Sequence, residues 1–250
     1  MKFTIITPTF NNASTILRSI ESLHSQTESN FEHIVVDNMS QDGTVEICKE
    51  FSSKINIIQE KDSGIYDAIN KGINISTGDV IGVLHANDLY NYDHVLFDVS
   101  KYFEQSKRDI VFGNVSYFKE NDSRKTIRYF SSKNFKKYKL KFGFMPPHTA
   151  TFIKKKIFTN YGCYNTSYQI ASDYELFVRT LLINDVNFFQ INKTLVKMSL
   201  GGLSTSGLYS WIQSTKEIKN IFKEHNIKTN LFFLLLRFPI KFLEFFKREK

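Results

Sequence analysis

Four carboxylates stand where this pattern of residues can do chemistry. Asp37 closes the apolar run His33 to Val36, Asp62 follows Ile55 to Gln59, and Asp88 follows Val80 to Leu84. Asp173 opens a later helical stretch. The carboxyl ends of covered parallel strands are where loops diverge into a ligand-binding crevice. A carboxylate beside the first crossover can accept from a base or ribose, and one at Asp88 can hold a divalent cation against a diphosphate. Asp173 has two readings. Ser172 and Glu175 have the spacing of a capping box, which makes Asp173 a carboxylate favoured by the helix dipole; the sharper reading is a catalytic base. No GxGxxG follows the first strand, no Walker sequence occurs, and no Cys or His pair has metal-ligand spacing. Dinucleotide oxidoreduction, P-loop hydrolysis and zinc chemistry therefore lose support. A nucleotide site without a glycine-rich phosphate loop is what these acids suggest.

The elements that must position them alternate. Lys2 to Thr7 reads as a buried strand ended by Pro8 and Asn11-Asn12, and Ile16, Leu17, Ile20 and Leu23 form the apolar stripe of a helix capped by Ser14 or Asn12. Strand His33 to Val36, the polar loop to Gly43, helix Thr44 to Phe51 and strand Ile55 to Gln59 repeat the pattern. The central stretch, Lys61 to Asp88, holds a helix with Ile65, Ala68, Ile69 and Ile73 on one face, a Gly78-Asp79 turn, the strand Val80 to Leu84 and the loop His85-Ala86-Asn87-Asp88. Strands separated by helices imply a right-handed parallel α/β unit. Beyond Asp88 the pattern changes to a mixed or antiparallel half. It has a helix at His94 to Phe103, a strand at Ile110 to Phe112, and a hairpin of Val115 to Phe118 with Thr126 to Phe130 about a tip at Lys119 to Lys125. Strands near Phe188 to Ile191 and Leu195 to Met198 precede the loop Gly201-Gly202-Leu203-Ser204. The expected division is a catalytic domain over 1–210, split into halves 1–92 and 93–210, and a helical tail over 211–250.

Composition sets the partners. The chain of 250 residues carries a formal charge of +8, which needs an acidic ligand or surface to meet. From Ser131 to Lys156 there is no acid but eight lysines, either a solvated face or a surface for phosphates or anionic lipid. Leu231 to Phe246 is apolar apart from Arg237, Lys241 and Glu244, and Pro239 interrupts it. A spanning helix needs roughly 20 apolar residues, so the reading is a helix lying in a membrane interface, with packing on the domain or on a second copy as the bland alternative. Nucleic acid is not an expected partner, since no binding module backs the charge. Cys48 and Cys163 are expected to be reduced thiols, and the amino terminus lacks a signal-peptide pattern, so a cytoplasmic protein is expected.

The runs ITPTFNN, IVVDNMSQDGT, KDSGIYDAINKGI, STGDVIGVLHAND, PPHTATFIK and ASDYELFVR, in this order, resemble the family 2 glycosyltransferases of the GT-A fold, especially those of bacterial surface-polysaccharide assembly. The resemblance spans about the first four-fifths of the chain. It implies a Rossmann-like parallel nucleotide-binding sheet, a mixed acceptor half and C-terminal helices. It also implies that Thr7, Pro8 and Thr9 line the donor pocket, that Asp37 contacts the base and Asp62 the nucleoside, and that Asn70 and Lys71 border the pocket. Asn87 and Asp88 correspond to the acidic loop, with Asp88 on Mg²⁺ or Mn²⁺. Asp173 falls at the general base, and His148 and Gly202 shape the acceptor side. His85, Ala86 and Asn87 stand where the family commonly has more acids, and losing a charged oxygen weakens a hard-cation site.

The implied reaction is a single displacement that inverts the anomeric carbon of a nucleotide sugar, a UDP-sugar being expected. The expected acceptor is a polyprenyl-diphosphate-linked saccharide at the anionic inner leaflet, reached by a peripheral protein through Leu231 to Lys250. A lapsed nucleotide-binding protein and a nucleotidyltransferase are the alternatives.

Overall fold

A computed structural model describes residues 1–119, 122–200, 207–229 and Leu234. The apolar runs at the amino-terminal end become four parallel strands, β1 (Phe3–Thr9), β2 (Phe31–Asp37), β3 (Ile55–Gln59) and β4 (Val80–Val83), in the order β3-β2-β1-β4. Register aligns their carboxyl ends: Thr9 lies opposite Asp37, and Asp37 opposite Gln59. Helices α1 (Ile16–His24), α2 (Thr44–Lys49) and α3 (Ile65–Ile75) supply the crossovers.

Helix α3 lies unusually close to the sheet. A Cβ on Gly72 would sit 2.7 Å from Ile6 Cγ2, so a glycine, about 1 kcal/mol poorer than alanine in a helix, is required for the approach. Ala68, Ile69 and Ile73 bury themselves against β1 and β2, and the opposite end of the helix is thereby aimed at the crevice. At its start Gly64 adopts φ 135°, a backbone state that favours glycine.

Past β4 the sheet continues without a break but changes direction, in the order β4-β8-β6-β9-β5. Strand β5 (Leu89–Tyr90) precedes α4 (Val95–Ser106), β6 (Ile110–Lys119) and β7 (Asp122–Phe130). Strand β8 (Thr151–Lys154) precedes α5 (Lys155–Tyr161) and α6 (Ser172–Phe177), and β9 (Phe188–Ser199) precedes α7 (Gly207–Glu224). The expected hairpin is β6 with β7, whose tip residues Glu120 and Asn121 lie outside the described residues. The two strands expected near Phe188 and Leu195 are one, β9, because it pairs in parallel with β6 through register shifts around Asn114.

Two capping expectations are corrected. The α1 amides at Thr15 and Ile16 donate to the Asn12 backbone carbonyl, while the Asn12 side chain is occupied by Thr9 and Phe10. Ser172 and Glu175 form no capping box: Glu175 takes the Arg179 guanidinium on both oxygens at 2.8 Å, a stronger partner than a hydroxyl-capped amide. On the far face of the sheet His33 is buried with its ring nitrogens on Thr7 and His24, and burial lowers its pKa to about 3, which keeps it neutral.

Among the described residues no helix is long and apolar enough to cross a membrane. The Leu231–Lys250 tail, apart from Leu234 in the core, and the Gly201–Ser204 loop lie outside the described residues.

Candidate active site

At the carboxyl edge of β1, β2 and β3 the loops lock one another. Asp37 is fully buried and accepts from the Ser40 amide and hydroxyl, the Ser40 hydroxyl accepts from the Asn11 amide, and Gln41 N–H donates to Asn11 Oδ1. Asn11 and Met39 hold positive φ angles of 51° and 59° here. Asn38 then bridges to the third loop, its Oδ1 accepting from the Asp62 amide at 2.9 Å. Asp62 itself accepts from the Gly64 amide; burial raises its pKa, against the pull of that amide and of the Lys71 charge. Asp37, Asp62 and Lys71 thus share one polar corner.

The residues expected around this corner have protein partners of their own. Thr7 is buried with its hydroxyl on His33, on the same face of the sheet as Asp37 but further down the strand from the carboxyl edge. Pro8 is buried within β1, and Thr9 donates to Asn12. Lys71 hydrogen-bonds the Lys61 carbonyl and pairs with Glu60 at 3.1 Å. Asn70 spends its whole amide on one backbone segment: Nδ2 donates to the Tyr164 carbonyl at 2.8 Å, and Oδ1 accepts from the Tyr164 amide at 3.0 Å. Its place is a strap between α3 and the segment leading to α6.

That strap assembles a second group of side chains. Tyr164 stacks on Tyr66 with ring centroids 5.6 Å apart, and its hydroxyl meets His148 Nε2 at 2.8 Å. His148 in turn lies 5.9 Å, centroid to centroid, from His85 at the end of β4. Burial lowers the pKa of His85 to about 4 and that of His148 to about 3, the His85 charge adding to the latter. Tyr66 donates to the Ile170 carbonyl at 2.8 Å and lies against Asp173. Asp173 is the second residue of α6, half-buried, with Oδ1 accepting from the Tyr174 amide at 2.7 Å. A carboxylate, two phenols and two imidazoles therefore line one path from the β4 loop to α6, and a carboxylate so placed can accept a proton from a bound hydroxyl.

Asp88 does not join them. Strand β5 turns back onto β9 immediately after it, and this carries the carboxylate beneath the end of β9, 2% exposed, where Oδ1 accepts from the Ser199 amide at 3.2 Å. Oδ2 finds no partner among the described residues, and burial pushes the pKa up to about 8. A hard dication wants exposed, charged oxygens. One shielded carboxyl flanked by His85 and Asn87 does not provide them, and among the described residues no three His, Cys, Asp or Glu side chains converge on a metal position. Gly202, expected on the acceptor side, lies outside the described residues.

The residues that spacing alone misses are Tyr66 and Tyr164. Tyr66 is within the central stretch, where its place beside Ile65 reads only as helix. Tyr164 meets Tyr66 and His148 across the chain and leaves no local signal.

Comparison with known proteins agrees with this architecture. The family model described as Glycosyl transferase family 2 matches residues 4–162. A "PGL/p-HBAD biosynthesis glycosyltransferase" of Mycobacterium bovis is 30% identical over 182 residues, covering 71% of this chain and 68% of the relative. Among solved structures, S. aureus TarS 1-349 in complex with UDP-GlcNAc superposes with a TM-score of 0.68 at 16% identity, covering 89% of this chain and 66% of that one. A mannosyltransferase from Pyrobaculum calidifontis, in complex with GDP-Man and Mn²⁺, gives 0.67 at 17% identity, covering 92% of this chain and 65% of that one. In a longer TarS structure the chain spans 39% of the neighbour. These likenesses show the GT-A fold expected from the sequence.

Proposed function

This chain belongs to glycosyl transferase family 2 and is a glycosyltransferase, and we propose that it moves a sugar from a nucleoside-diphosphate sugar, a UDP-sugar first, onto a lipid-linked saccharide with inversion at the anomeric carbon. The single observation that carries this reading is Asp173, half-buried at the start of α6 and joined through Tyr66, Tyr164 and His148 to the loop that ends β4. The nucleoside lies against Asp37, Asn38 and Asp62. The acceptor hydroxyl gives its proton to Asp173 as its oxygen attacks the anomeric carbon, and the bond to the departing diphosphate breaks in the same step. That TarS is solved with UDP-GlcNAc and the archaeal neighbour with GDP-Man supports a nucleotide-sugar donor.

The test is nucleotide release from UDP-GlcNAc, UDP-glucose, UDP-galactose and GDP-mannose, with Mn²⁺ or with EDTA. One donor is expected to be turned over slowly without acceptor. Because Asp88 is shielded and no second acid stands in the loop, release in EDTA should stay within about tenfold of release in Mn²⁺. A rate that vanishes in EDTA would show a cation site that this donor set does not suggest, and no release from any donor under either condition would remove the transferase mechanism.

A surface role is proposed with it. Tyr138, 57% exposed, stands among the exposed Lys133, Lys136 and Lys141. The chain leaving α7 passes this segment, with Thr229 donating to the Lys141 carbonyl. Flotation with phosphatidylglycerol vesicles is expected for the intact protein, to fall with salt, and to be lost when residues 231–250 are removed; equal flotation on phosphatidylcholine alone would sink the electrostatic part.

A further inference from the structure

Glu217, in the middle of α7, is 5% exposed and has no role in the donor site or the surface role proposed above. Its Oε1 accepts from the Gln169 amide at 3.1 Å, and its Oε2 accepts from the Ile170 and Ala171 amides at 3.0 and 2.8 Å. Gln213, one turn earlier, donates to Oε1 at 3.0 Å. Three consecutive backbone N–H groups thus converge on one carboxylate. Both carboxyl oxygens serve as acceptors here, whereas a neutral amide presents a single oxygen and turns an NH₂ toward the donors.

The position of these amides matters. The orphan donors of a short helix begin at its first turn, which here starts at Ser172. Glu217 instead takes the amides of the approach segment, 169–171, before the helix begins. The same segment is held from the other side, because Tyr66 of α3 donates to the Ile170 carbonyl. Just past the end of α7, His225 meets Glu175 of α6 at 3.1 Å, a second tie to that helix. Asp173 follows this clamped segment by two residues. Its entry into the crevice is therefore set by α7, an element that lies beyond the residues 4–162 matched by the family model.

We propose that Glu217 is a positioning residue for the catalytic base: by gathering the amides of Gln169, Ile170 and Ala171 it fixes the angle at which Asp173 meets the acceptor hydroxyl. This rests on the reading of Asp173 as the base. A misplacement of about 1 Å costs on the order of a hundredfold in rate, which is the scale at stake.

The test compares wild type, Glu217→Gln, Glu217→Ala and Asp173→Asn on the donor that is turned over, reading kcat and KM for that donor, UDP affinity by calorimetry, and melting temperature. Glu217→Gln keeps one acceptor oxygen and should lose about tenfold in kcat, and Glu217→Ala about a hundredfold, with donor KM and UDP affinity within twofold of wild type. A merely structural cap would lower the melting temperature and leave kcat of the folded variant intact; kcat of either folded variant within threefold of wild type overturns the proposal. Should Glu217→Ala not fold, Glu217→Gln still decides, and amide exchange at 169–171 should quicken in it. Full turnover by Asp173→Asn would instead overturn the base reading, and no turnover of any donor by wild type removes both.

Discussion

Asp173→Asn is expected to lower turnover by about 10²–10⁴-fold while leaving the fold and nucleotide affinity intact, the range for losing a positioned general base. The amide is isosteric, and its carbonyl can keep the hydrogen bond from the Tyr174 amide. It cannot take a proton. The acceptor hydroxyl would then have to attack with its proton in place, which raises the barrier only in the transition state, so the loss belongs in kcat and not in donor KM. UDP affinity should stay within twofold, because Asp37, Asn38 and Asp62 sit in the other polar corner. Turnover within tenfold of wild type would show that the proton leaves by another route, and His148 would be the next group to replace.

Asp88→Asn is expected to stabilise the protein at neutral pH, the reverse of what replacing a buried polar side chain usually does. The folded-state pKa of about 8 stands above the usual value of 3.8 because the carboxyl is enclosed. Between those values the unfolded chain gives up the proton while the folded one keeps it, so the contribution of Asp88 is fully present below about pH 4 and is lost as pH rises through 8. At pH 7 the penalty is a few kcal/mol, roughly 2–4 once relaxation of the site is allowed for. The asparagine carbonyl can still accept from Ser199, and its NH₂ meets the same lack of a partner as the protonated acid. Denaturant melts of the two proteins should therefore converge near pH 4 and separate by pH 7, the variant being the more stable. Equal stability at both pH values would show that the Asp88 carboxyl titrates alike in the folded and unfolded protein, and a variant less stable at pH 7 would show that Asp88 is ionised and paired in the folded protein.

The enclosed carboxyl ties the loop after β4 to the end of β9, so its cost is linked to where the His85 side of the crevice sits.

Much of the frame was legible before any coordinates. Apolar runs separated by amphipathic stretches announced β1 to β4 and their crossovers, because burial on both faces of a parallel sheet demands such runs. The acids Asp37 and Asp62 could be placed on the carboxyl edge from their position after a strand, and the order of the motifs carried the family. Periodicity also located α6 and hence Asp173. It could not say what Asp173 touches.

What only the tertiary structure decided are the partners. Asn70, expected to border the donor pocket, has its side-chain amide on Tyr164, 94 residues away. Asp88, expected on a metal ion, accepts from the Ser199 amide, 111 residues away. Glu217 carried no signal at all, yet it gathers amides 46 to 48 residues distant. The reason is physical. Local spacing fixes which face of a helix or strand a side chain occupies, since that follows from the backbone repeat of its own element. Which hydrogen-bonding group it meets there depends on how elements far apart in the chain pack, and a carboxylate or amide will satisfy itself with whichever donor that packing brings within about 3 Å.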